Sequence, residues 1–258
     1  MTDSHKLQQY INKINDWTKT WLMSLNVSKC KVMHFGRSNP RMKYTLDGYE
    51  LEQSEAERDL GLQVTTDLKS TRQANYAASK ANRMLGLLKR TFISRDLYLW
   101  KKLYMIYIRP HLEFASAAWN PHLQQDIDTL EKVQWRATKI PNALNNLNKD
   151  VRLKAFGLTS LIDRRIRGDL IQQYKIHHKL EVINWFVSPS VSVSRISHRN
   201  SYQLKREIVK NCKERYHFFT NRIVPHWNSL SDEIINAPSV DSFKIRLDKF
   251  NLERQGFT

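Results

Sequence analysis

The stretch KSTRQANYAASKANRMLGLLKRTF, residues 69–92, reads as one helix with two opposed faces. At about 100° per residue, Ala74, Ala77, Ala78, Ala81, Leu85, Leu88 and Phe92 fall in one arc, and Lys69, Arg72, Lys80, Arg83 and Arg90 fall nearly opposite. The small apolar side chains of the first arc allow close packing, as in a helical bundle. Ser70 or Thr71 is placed to cap the N-terminus, and Gly86 is the weak link of the run. A charged helix face is ordinarily a solvated face, and solvated faces mix their signs. Here residues 71–110 hold nine Lys or Arg against a single acid, Asp96. That one-sided charge favours a polyanion as what the face meets.

Outward from the helix the charge thins. Of the net +17, residues 1–70 carry +1 and residues 111–258 carry +8, so the middle of the 258-residue chain is the basic hub. Nucleic acid is the commonest soluble partner for such a field, because each phosphate neutralised releases condensed counterions. Cys30 and Cys212 are too far apart, and too few, to build a zinc site. No apolar run approaches the roughly 18 residues of a membrane span, and MTDSHKLQQ lacks a signal-peptide core, so the expected location is intracellular, nucleus or cytoplasm, without membrane contact. Neither a dinucleotide fingerprint nor a Walker motif is present, and no cofactor is expected.

Ahead of the helix, residues 4–25 carry Leu7, Tyr10, Ile11, Ile14, Trp17, Trp21 and Leu25 at three- and four-residue steps, the pattern of an amphipathic helix whose stripe belongs in a core. LNVSKCKVMHFG then turns the chain into a short strand over Lys31–Phe35. Asp47-Gly48, between Tyr44-Thr45-Leu46 and Tyr49-Glu50-Leu51, signals a two-residue hairpin, since a type I′ turn needs positive φ. A third strand over Leu60–Val64 completes the expected small antiparallel sheet, with the opening helix as its cover.

Behind the helix, Ser94 is read as the cap of a second helix over Arg95–Arg109, ended by Pro110. A third helical region covers Leu112–Trp119 and then Leu123–Lys139, broken at Asn120-Pro121 and closed by Pro141. VRLKAFGL and SLIDRRIRGDLIQQYKIHHKL read as two further helices, Gly157 ending the first. Within the second, Asp163 with Arg167 and Arg165 with Asp169 are read as surface ion pairs at four-residue spacing. Residues 187–200 are a serine-rich loop, and Ser239 caps a last helix carrying Phe243, Leu247 and Phe250. The expected fold class is mainly α with a small antiparallel β-hairpin or sheet near the N-terminus. The expected regions are 1–66 with the hairpin, a helical bundle over 67–140, and a C-terminal helical region over 141–258.

Six blocks carry a resemblance that composition does not give: INDWTKTWLMSLNVSKCKVMHFG, LDGYELEQSEAERDLGLQV, YIRPHLEFASAAWNP, DTLEKVQWRATK, LTSLIDRRIRGDLIQQYKI and FFTNRIVPHWNSLSDEIINAPSVDSFKIRLDKF. In this order they resemble the C-terminal part of a reverse transcriptase from non-LTR (LINE-type) retrotransposons of the jockey and chicken-repeat kind. The resemblance implies a late palm segment in the opening helix and LNVSKCKVMHF, a primer grip in the hairpin with RDLGLQV, and a thumb over 69–119. It implies RNA or an RNA/DNA hybrid as partner, gripped by the phosphate backbone through Lys69, Arg72, Lys80, Arg83 and Arg90. Lys29 and Lys31 stand where the palm often places a lysine near the leaving pyrophosphate, and are read as vestigial.

The family's phosphoryl transfer uses paired metal ions, Mg²⁺ in the full-length enzyme, held by palm aspartates that include an Asp-Asp box. This sequence contains no Asp-Asp pair. Asp126, Asp128, Asp163 and Asp169 read as helix-surface acids, so no catalytic or metal residue is expected. Two functions follow. One is a truncated, non-catalytic nucleic-acid-binding remnant. The other is a fragmentary gene model of a full RNA-directed DNA polymerase, active only with its missing N-terminal half. The bland alternative to both is a fragment without function.

Overall fold

The computed structural model describes residues 3–36, 38–185 and 201–254. It is mainly helical with a few short strands, and the chain packs as two compact units, Met1–Arg72 and Gln73–Thr258. The serine-rich stretch 187–200 lies outside the described residues.

The first unit opens with α1 (Asp3–Thr20). β1 (Lys31–Val32), β2 (Thr45–Leu46), β3 (Tyr49–Glu50), β4 (Glu52–Gln53), β5 (Ala56–Asp59) and β6 (Leu62–Thr65) follow. The expected hairpin is present: β2 and β3 are antiparallel, and Asp47 and Gly48 both take positive φ, +53° and +82°. The single antiparallel sheet is not. The strands form three separate two-stranded ladders, and β1 pairs with β4 in parallel. The expected third strand is half of a second hairpin, β5–β6, whose turn places Leu60 at φ +44° and Gly61 at +90°. Leucine in that conformation gives no turn signal, which is why the alternation alone read as one strand.

The apolar stripe of α1 is not core. Leu7, Tyr10, Ile14, Trp17 and Trp21 are exposed, while Gln8, Ile11, Asn15 and Thr18 form the seam that packs. Gln8 sets this orientation. Its amide nitrogen donates to the Thr45 carbonyl at 2.8 Å and its amide oxygen accepts the Thr45 N–H at 2.9 Å. Asn15 and Lys19 both donate to the Asp47 carboxylate, at 3.4 and 2.5 Å. Only Ile11 of the apolar residues joins the small core of Tyr44, Leu46 and Leu51.

The second unit begins within α2 (Thr71–Thr91), whose Ala74, Ala77, Ala78, Ala81, Leu85 and Leu88 are buried as the wheel places them. α3 (Leu97–Leu103) is capped by Asp96, not Ser94: the Asp96 carboxylate accepts the Leu99 N–H at 2.8 Å. Pro110 does not end the helix. A π-helical turn over Tyr104–Ile108 lets the Arg109 N–H reach the Tyr104 carbonyl, and the proline falls in the first turn of α4 (Arg109–Glu113), where an N–H has no helical partner to lose.

α5 (Ser116–Trp119), α6 (Gln124–Thr138), α7 (Lys149–Phe156) and α8 (Leu161–His177) follow, with Gly157 ending α7 in the left-handed conformation and Ser160 capping α8. α8 packs against α4, α5 and α6, so packing is continuous across residue 140. The short helices α9 (Lys213–Tyr216), α10 (Phe219–Arg222), α11 (Val224–Trp227) and α12 (Asp232–Ile235) lead to α13 (Val240–Arg254). These bring Ile223, Trp227, Leu230, Ile235, Phe243 and Leu247 into one core with Leu170 and Tyr174 of α8. Ser239 caps α13, accepting the Ser242 N–H.

The pairs expected on the surface of α8 are partnered otherwise. Arg167 forks onto Asp248 at 2.6 and 2.8 Å. Asp163 accepts from the Ser160 hydroxyl, and Arg165 is buried, donating to the Leu112 carbonyl at 3.0 Å with its guanidinium over Trp119. Asp169 pairs with Arg222.

α6 holds the start of α8 from outside. The buried Glu131 carboxylate accepts the Leu161 and Ile162 N–H groups at 2.7 and 3.3 Å, and burial pushes its carboxyl above the ordinary range against those two bonds. A carboxyl raised in the folded state makes stability fall as pH climbs from the unfolded value through the folded one. Glu131→Gln keeps an acceptor oxygen and removes the buried charge, so denaturant melts should place it within about 1 kcal/mol of the parent and flatten that decline. Glu131→Leu strands the Leu161 N–H and should cost about 1–3 kcal/mol.

Candidate nucleic-acid interface

The helix that buries its alanines necessarily turns its other side outward. Arg83 and Arg90 are exposed on α2 and stand in one row, seven residues or two turns apart, and Arg72 is exposed in the first turn of the helix. No ion pair engages any of the three among the described residues. Arg83 and Arg90 belong to the second unit, and Arg72 lies at the end of the first.

Lys80 and Lys69 stand apart from that row. Lys80 is half-buried, its ammonium 4.9 Å from the centre of the Tyr76 ring, and it lies close enough to His111 to help burial lower that imidazole's pKa. Lys69 precedes the helix. Its ammonium is 3.0 Å from the Asp67 carboxylate, which also accepts the Lys69 backbone N–H and the Thr65 hydroxyl. Those bonds, the Thr65 hydroxyl foremost, hold the Asp67 carboxyl below its ordinary value. A lysine neutralised within its own turn adds little to a phosphate-binding face.

Beside the arginine row lies a feature that charge counting missed. Asn75, Ser79, Asn82 and Gly86 recur along the flank of α2 between its charged and buried faces, and with Ala78, Arg83, Leu87, Arg90 and Thr129 of α6 they line an open groove of about 860 Å³. Arg136 of α6 reaches across to donate to the Asn82 side-chain oxygen at 3.3 Å. The signal was present in the sequence as small polar residues at helical spacing. A wheel read only for apolar and charged residues passes over it.

α6, which supplies Thr129 to the groove, is fixed by buried polar contacts of its own. The Tyr104 hydroxyl donates to the Gln134 side-chain oxygen, and the Gln134 amide donates to the Thr159 carbonyl at 3.1 Å. Burial raises the Tyr104 hydroxyl far above its ordinary pKa, so it remains a donor throughout the working range. α6 is thereby tied to the π turn that follows α3 and to the entrance of α8. Polar small side chains on one wall and unpaired guanidinium groups at the lip suit the edge of a sugar-phosphate backbone.

The two lysines read as vestigial belong to the first unit. Lys29 is exposed at the end of a short 3₁₀ turn over Val27–Lys29, and Lys31 pairs with Glu52 across the parallel ladder. Asp126 and Asp169, expected on the surface, are buried. Among the described residues no group of three His, Cys, Asp or Glu side chains is arranged to hold a metal ion, and no helix is long and apolar enough to cross a membrane.

A Cβ added at Gly86 would meet no atom within 4 Å. Gly86→Ala should therefore stabilise the helix by about 0.5–1 kcal/mol, read as a rise of a few degrees in the melt. The methyl also projects beside the groove. If the groove takes a closely approaching backbone, the same variant should bind nucleic acid several-fold more weakly while melting higher, a divergence no purely structural role produces.

Comparison of the chain with protein-family models, with curated proteins and with solved structures finds no match.

Proposed function

We propose that this chain is a non-catalytic nucleic-acid-binding remnant of a non-LTR retrotransposon reverse transcriptase, gripping RNA or an RNA/DNA hybrid by its phosphate backbone. The observation that carries the reading is the row of Arg83 and Arg90, exposed and, among the described residues, without ion-pair partners on one helix in the most basic part of the chain. A chain at net +17 binds polyanions indiscriminately to some degree. The row gives that attraction an address. The six sequence blocks support the family.

Arginine suits this task better than lysine, because its fork meets two phosphate oxygens at once and it sheds its hydration more readily. Contacts of this kind position a duplex without reading bases. The groove amides then meet sugar hydroxyls, which every sequence presents.

The test is the salt dependence of binding. Each phosphate contact contributes a slope of about −0.7 to −0.9 to log affinity against log salt. Arg72→Gln, Arg83→Gln and Arg90→Gln together should flatten the slope by roughly 2 to 3. The control triple Lys179→Gln, Lys205→Gln and Lys210→Gln removes the same charge elsewhere and should flatten it much less. Equal losses would assign binding to net charge alone and sink the proposal. Primer extension with template, dNTPs and Mg²⁺ or Mn²⁺ should stay at background, and extension abolished by substitutions in this chain would refute the non-catalytic reading.

A further inference from the structure

The outward face of α1 is the largest apolar feature that the proposed function leaves unused. Tyr10, Trp17 and Trp21 are 59%, 56% and 64% exposed, and Leu7 and Ile14 stand exposed in line with them. The helix turns a different seam to its own unit, held there by Gln8, Asn15 and Lys19, so packing within the unit does not cover these residues. A continuous apolar stripe of this kind marks a protein contact surface.

The spacing says what kind of surface covers it. A helix lying on a sheet presents a broad face of three or four apolar residues per two turns. The outward stripe of α1 is narrower: 7, 10, 14, 17 and 21 alternate steps of three and four without an extra member, the two-per-seven seam by which helices pair. The occupant is therefore a helix of like spacing, and α1 itself has it. We propose that a second copy of this chain docks here, the two α1 helices pairing antiparallel.

An antiparallel pair sets Leu7 of one copy against Trp17 of the other and Tyr10 against Ile14, so each of these layers joins an aromatic to an aliphatic, and Trp21, just past the helix end beside Trp17, lies at the rim. It also lays each helix N-terminus beside the other's C-terminus, where the end charges attract. The area agrees with a weak, specific dimer. Covering an aromatic side chain removes roughly 150–250 Å². The exposed parts of the three rings, with Leu7, Ile14 and Met23, then offer on the order of 500–600 Å² per copy. A standard interface uses about 600–1,000 Å² on each side, which places this one at the small, transient end.

Sedimentation equilibrium of the full chain tests the pairing, run with reductant so that Cys30 and Cys212 form no cross-links, and at about 0.5 M salt to screen bridging through nucleic acid. Between roughly 1 and 100 µM the average mass should rise from one chain toward two. Ile14→Glu and, separately, Trp17→Glu should weaken dimerisation by about 100-fold or more. Both side chains are exposed in the single chain, so circular dichroism and the thermal melt should be unchanged. Ile162→Glu, an exposed apolar residue on α8, should dimerise as the parent does. A parent chain that stays monomeric at the highest concentration overturns the proposal and leaves the seam to a different protein. So do α1 variants that dimerise normally, or a dimer that dissolves at high salt.

Discussion

Arg222 is the side chain on which the second unit closes. Its guanidinium donates to both oxygens of Asp169, at 2.8 and 3.0 Å, and to the Ala117 carbonyl at 2.7 Å. One group thus joins α10, α8 and the carbonyls of α5, three segments separated by 53 and more than a hundred residues in sequence. The pair is almost entirely removed from water, and burial pushes the Asp169 carboxyl up against the pull of Arg222. Such a pair adds little over a well-packed apolar substitute, yet removing one partner leaves a buried charge and costs about 3–5 kcal/mol. What it supplies is register: α8 cannot slide or rotate against α5 and α10 without breaking it.

Much of this was legible in the sequence, and the misses share a cause. α2, α6, α8 and α13 were read from periodicity, and the apolar arc of α2, with Leu130, Val133 and Ala137 of α6 and Phe243 and Leu247 of α13, is buried where the wheel placed it, because a long helix buries whichever face is apolar. The Asp47-Gly48 turn and the Gly157 stop were legible because each needs a backbone conformation that its residues favour. Arg165 and Asp169 were misread as a surface pair. Spacing on one helix names the neighbours available within that helix, and it is silent about Arg222, Leu112 and Trp119, which arrive from elsewhere. Pro110 was misread for a similar reason: a π turn supplied by the residues before it makes the proline the start of a segment instead of the end of one.

α1 teaches the opposite lesson. Its periodicity was read correctly and its burial was not. Amphipathicity establishes that a face is apolar; it does not establish that the same unit covers it. Two reciprocal amide bonds from Gln8 and a shared carboxylate at Asp47 fix the rotation of α1 about its axis. Directional bonds of this sort select an orientation with a precision that apolar attraction, which is indifferent to direction, does not have. The result is a helix whose polar seam is spent within its unit and whose apolar seam is available.

The basic helix shows the same separation between what a pattern predicts and what a neighbour does to it. Five cations were placed on one face by angle. Lys69 is neutralised by an acid two residues away, and Lys80 leans onto the Tyr76 ring, where the π face stabilises the cation without removing its charge. Among the described residues, no ion pair engages Arg83 or Arg90. On the proposed reading, the number of phosphates held is set by these donors and not by the count of basic residues. Two turns of helix separate Arg83 from Arg90, about 10 Å, so the pair addresses two points on a polyanion and no single base. The small polar side chains beside them leave the room that a backbone needs to approach. On the same reading, a surface built this way would follow the sugar-phosphate chain wherever it runs, indifferent to the bases it carries.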